Sequence, residues 1–114
     1  MDYELTFDLD VEGDHLTEAG LGGDVAMMLD DCSWYPVDGQ DTSYETSDSK
    51  VVVSDVTSVS ATANVTCTVS HVEGPELDAD ALRSFFSEEI PNSEVDEDGK
   101  VEIIECRIIS LEPK

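Results

Sequence analysis

The residues able to do catalytic chemistry are few and scattered. His15 and His71 are the imidazoles, and Cys32, Cys67 and Cys106 the thiols. Either histidine could pair with Cys67 or a carboxylate, as metal ligands or as an acid–base pair. Their spacing carries neither a zinc-site signature nor a catalytic one. A nucleophilic cysteine needs a base and electropositive surroundings, whereas this chain bears a formal net charge of −23. Gly20-x-Gly22-Gly23 lacks the lysine and the strand-to-helix setting of a phosphate-cradling loop. The sequence therefore predicts no catalytic residue, no metal site, no cofactor and no enzyme activity.

Carboxylates dominate instead. The pattern Glu94-x-Asp96-x-Asp98-Gly99-x5-Glu105 resembles the EF-hand calcium loop, with alternating acids, a glycine turn and a distal glutamate. It departs from that loop in two ways. Glu94 stands where Asp is expected, and the following VEIIECRII reads as a strand, which carries Glu105 away from the turn. An acidic β-turn is the plainer reading. Asp8-x-Asp10-x-Glu12-Gly13 is weaker, since Ala19 falls at the distal position.

A second arrangement is more regular. Tyr3, Leu5, Phe7, Leu9 and Val11 alternate with Glu4, Thr6, Asp8 and Asp10, the mark of a strand with one buried face. Its outer face then displays carboxylates roughly 7 Å apart, about twice the 3.4 Å step of phosphates along one DNA strand. Asp38, Asp41, Glu45 and Asp48 extend the acidity into the next connection, beside Trp34-Tyr35. Aromatics are enriched at binding hot spots, so Trp34 is either an interaction anchor or a residue closing the core. The expected partner-binding set is Glu4, Asp8, Asp10, Trp34, Tyr35, Asp38, Asp41, Glu45 and Asp48.

The elements that must position these residues read as follows. A strand covers 3–11. A helix covers about 24–33, with Val25, Met28, Leu29 and Cys32 on one face and Asp14 or Asp24 as cap. Residues 35–49 form a flexible acidic loop. The β-branched, Ser/Thr-rich stretch 50–72 divides into strands at about 50–57 and 60–72. An amphipathic helix from Asp78 to Ile90 presents Leu82, Phe85, Phe86 and Ile90, and Pro91 stops it. The last strand, Val101 to Leu111, is apolar on both faces, which predicts a central or covered place. The order β-α-β-β-α-β predicts a single α+β domain, 1–114, of ferredoxin-like type: a four-stranded antiparallel sheet with two helices on one face.

Charge decides between partners. Against 28 Asp and Glu the chain has five Lys and Arg. Binding to nucleic acid depends on those cations, so direct nucleic-acid contact is not expected, nor attachment to an anionic membrane. The N-terminus lacks the basic and apolar regions of a secretory signal, and the odd, unpatterned cysteines fit free thiols in a cytoplasmic setting. Self-repulsion on this scale must be offset by salt or by a positive partner. Two main expectations follow. One is an acidic interaction or inhibitor protein that mimics nucleic acid and blocks a basic DNA- or RNA-binding effector, of anti-restriction or anti-CRISPR type. The other is a small protein of a salt-adapted, halophilic organism whose acidity serves solubility. A Ca²⁺-binding module is a third. The acidity is uneven: residues 1–49 hold 14 acids and no Lys or Arg, whereas 51–72 hold only Asp55.

Overall fold

A computed structural model describes residues 2–36, 41–93, 95 and 101–114. Its elements are β1 (Asp2–Gly13), α1 (Glu18–Leu29), β2 (Cys32–Trp34), β3 (Ser43–Ser54), β4 (Ser60–Glu73), α2 (Ala79–Glu89) and β5 (Val101–Pro113), with a short 3-10 turn at Ile90–Asn92. The strands form one antiparallel sheet in the order β2-β3-β4-β1-β5.

The chain is thus α+β, but the expectation of a four-stranded ferredoxin-like sheet is overturned, because the sheet has five strands. The fifth is β2, whose three residues pair with Tyr44, Glu45 and Thr46. So short a strand has no alternation to read, and Pro36 and Gly39 beside it signal only a loop. The same pairing draws β3 back to Ser43, so residues 43–49 of the stretch expected to be loop are strand.

One face of the sheet carries the core. Leu5, Phe7, Leu9 and Val11 of β1 and Ala63, Val65, Cys67 and Val69 of β4 are all buried there. They pack under Leu21, Val25 and Leu29 of α1 and Leu82 and Phe86 of α2, with Ile90 just beyond. At roughly 25 cal/mol per Å² of apolar surface removed from water, this layer supplies most of the driving force for folding.

Helix α1 starts earlier than the glycines imply. Neither Asp14 nor Asp24 caps it; Thr17 does, its Oγ1 accepting from the Gly20 amide at 3.1 Å. A Cβ at Gly20 would lie 2.8 Å from that oxygen, so glycine permits the close cap. Asp78 caps α2 by accepting from the Ala81 amide at 2.8 Å. Gly74 has φ +77°, and a Cβ there would meet the Asp41 carbonyl oxygen at 2.5 Å.

Strand β5 lies at the edge of the sheet, not at its centre. Its pairing with β1 shifts register between Thr6 and Phe7 and between Asp10 and Val11. Each bulge flips the alternation. Ile103, Cys106, Ile108 and Leu111 therefore stay half-buried while Ile104 and Ile109 are exposed. Two bulges, not burial on both sides, explain the apolar residues on both faces.

Candidate partner-binding face

The other face of the sheet has no layer over it among the described residues. Register and burial place on it Glu4, Thr6, Asp8, Asp10 and Glu12 of β1, and Ser60, Thr62, Asn64, Thr66, Thr68 and Ser70 of β4. Glu45, Ser47, Lys50 and Val52 join from β3, and Glu102, Glu105, Arg107, Ser110 and Glu112 from β5. The carboxylates are eight: Glu4, Asp8, Asp10, Glu12, Glu45, Glu102, Glu105 and Glu112. The β4 row between β1 and β3 is neutral and hydroxyl-rich, so the β1 acids meet like charges only across β5, where Glu4, Asp10 and Glu12 stand opposite Glu112, Glu105 and Glu102.

Several of these acids are held in place. Asp8 Oδ1 accepts from Asn64 Nδ2 at 2.9 Å, and Asp10 Oδ1 accepts from the Thr62 hydroxyl at 2.9 Å. Arg107 Nη1 lies 2.6 Å from Asp10 Oδ2 and 2.9 Å from Glu105 Oε2. The hydrogen bond from Arg107, seconded by that from Thr62, holds the Asp10 carboxyl below its usual range. The carboxylate row expected on β1 is thus pinned at Asp8 and Asp10 and partly neutralised at Asp10. Glu4 and Glu12 toward its ends are exposed.

The remaining expected residues separate. Glu45 lies on the face and Asp48 beside it, exposed, in the β3 bulge with φ 52°. Asp41 and Tyr35 are exposed. Asp38 lies outside the described residues, as do the turn acids Glu94, Asp96 and Asp98 of the calcium-loop pattern. Trp34 is 8% exposed and takes the second of its two possible roles. Its ring meets Phe86 edge-on at 5.4 Å, and its Nε1 donates to Thr46 Oγ1 at 3.0 Å. It is a core residue.

Sequence reasoning missed Glu12 and the contribution of β5. Glu102, Glu105 and Glu112 share the face only because the bulges reset the alternation, so no period-two count finds them. It missed the cations too. Lys50 and Arg107 lie on the face, and Lys114 reaches it by donating to Thr68 Oγ1 at 2.6 Å.

Among the described residues no hydrogen bond joins a thiol to an imidazole. Burial pushes the Cys67 thiol up to about 12 and the Cys106 thiol up to about 11, and raises Cys32 as well. His71 packs against Tyr44 with ring centres 5.2 Å apart, and its Nδ1 lies 3.7 Å from Glu76. Among the described residues no group of three or more His, Cys, Asp or Glu is arranged to hold a metal ion, and no helix is long and apolar enough to cross a membrane. Comparison with known proteins yields no matching family, no matching curated protein and no matching solved structure.

Proposed function

We propose that this protein is an acidic interaction module that docks a cationic protein surface on the uncovered face of its sheet. The observation that carries this reading is that eight carboxylates from three of the strands, β1, β3 and β5, share one face left uncovered among the described residues. Rigid strands hold them, and Asn64, Thr62 and Arg107 fix the central pair. Preorganised charges bind without the entropy cost of ordering flexible chains. The partner class is a Lys/Arg-rich surface of the kind that binds nucleic acid. The β1 row, at roughly 7 Å per step, supports the finer reading of an inhibitor that occupies a phosphate track, in the manner of an anti-restriction or anti-CRISPR protein. Arg107 narrows that reading to the ends of the row. Affinity purification at low salt tests it: a basic nucleic-acid-binding protein is expected on the protein and is expected to elute as salt rises. Recovery of no basic protein would overturn it.

A second reading rests on a different observation. Exposed acids also cover the helical side, as Glu18, Asp78, Asp80, Glu88 and Glu89. One partner on the sheet face cannot neutralise these. Acidity on every side favours adaptation to a salt-rich cytoplasm, where the Debye length falls to roughly 3 Å at 1 M. Circular dichroism at low salt separates the two: retention of full secondary structure counts against adaptation, and loss counts for it.

A further inference from the structure

We infer that the hollow between Lys50 and Lys114 on the open sheet face is a binding site for a small oxyanionic group, a carboxylate or a phosphate. It occupies about 360 Å³ and is lined by Glu4, Asp48, Lys50, Thr66, Thr68 and Lys114, with Cys67 behind. The site goes beyond the proposed docking function and does not depend on it.

Cations are scarce in this chain, five against 28 acids, yet two of its three lysines converge on this one hollow. In so acidic a protein the ordinary fate of a lysine is an ion pair. Among the described residues, however, the close pairs between a carboxylate and a basic side chain involve only Arg107 and His71. Among the described residues neither lysine has a carboxylate within the 4.0 Å of such a pair, although Glu4 and Asp48 border the same hollow.

The floor is polar and built. Thr68 is 7% exposed and its hydroxyl holds Lys114 Nζ at 2.6 Å, which fixes the ammonium over the strand. Thr66 lies directly across from Lys50 in the register, and its hydroxyl is 3.3 Å from that of Thr6. Two ammonium groups and two hydroxyls can all donate, which is what the oxygens of a carboxylate or phosphate require. Glu4 and Asp48 at the rim oppose a bulky or highly charged anion. They limit the site to a small group, and to conditions in which salt screens the wider negative field.

The test is an NMR titration of the ¹⁵N-labelled protein with sodium phosphate, and separately with sodium acetate, against sodium chloride at matched ionic strength. Saturable shifts confined to Lys50, Thr66, Thr68 and Lys114 are expected with one or both oxyanions and not with chloride. Response to phosphate alone assigns the site to phosphate groups, and response to acetate assigns it to carboxylates. In the variant carrying Lys50→Met and Lys114→Met the affinity is expected to fall by about tenfold or more, the usual consequence of losing charge-assisted hydrogen bonds. Lys50→Met alone, at an exposed position, gives the same direction should the double variant fold poorly. Shifts that follow ionic strength whichever anion is added, or that persist at full size in the variants, would overturn the assignment.

Discussion

Trp34 and Thr46 show how one buried side chain ties three elements together. The Thr46 hydroxyl accepts from Trp34 Nε1 and donates to the Leu29 carbonyl at the end of α1. The indole closes the core against Phe85 and Phe86. Trp34→Ala removes both the packing and the donor, so it is expected to cost about 3–5 kcal/mol in urea unfolding. A cost below about 1 kcal/mol would place the ring outside the core. Cys67 gives a second expectation at this scale. Its thiol is raised to about 12 in the fold, against about 8.5 in an unfolded chain. An acid whose folded pKa is raised contributes stability that is full below the unfolded value and is lost as pH rises toward the folded one. Unfolding free energy is therefore expected to decline from about pH 8.5 upward. The decline should be shallower in Cys67→Ala, as read by urea titrations at mildly and strongly alkaline pH.

Among the elements, the helices depend on single caps. Asp78 satisfies the Ala81 amide at the start of α2, and Asp78→Ala is expected to lower stability by about 0.5–2 kcal/mol, measurable as a drop in Tm. The sequence narrowed this start to Asp78 or Asp80, two acids at the head of an amphipathic run, and the backbone makes Asp78 the cap. More fully legible was β1, where nine residues alternate without a break and every apolar one is buried. What escaped reading was set by tertiary contact. β2 has too few residues for periodicity and exists because Trp34 is drawn under α2, bringing its strand beside Tyr44. The two bulges of β5 insert Ile104 and Ile109 into an alternation that otherwise resembles a central strand. Thr17 caps α1 behind glycines that composition alone marks as a weak start. The site divides along the same line. Glu4, Asp8 and Asp10 were visible from β1 alone. Arg107, which pairs with Asp10, and the acids of β5 beside it become neighbours of β1 only through pairing of strands that lie far apart in the chain.

For the whole molecule, charge is the governing quantity. A net charge of −23 on a slab of 43 × 26 × 20 Å opposes compactness in dilute buffer. Added salt is therefore expected to raise Tm steeply until the Debye length, about 10 Å at 0.1 M, becomes short against the spacing of surface charges. A Tm that does not change between low and high salt would contradict this. The neutral hydroxyl row on β4 concentrates the remaining field on β1 and β5, so the sheet face and the helical side are distinguishable surfaces. Matched neutralisation separates them most directly. Glu4, Glu12, Glu45 and Glu112 are changed to glutamine in one variant, and Glu18, Asp80, Glu88 and Glu89 to their amides in another, all eight positions being exposed. The measurement is the affinity of each for the basic protein recovered at low salt. Docking on the sheet face predicts a large loss for the first variant and near-parental binding for the second. Equal losses from both, or a greater loss from the helical variant, would contradict it.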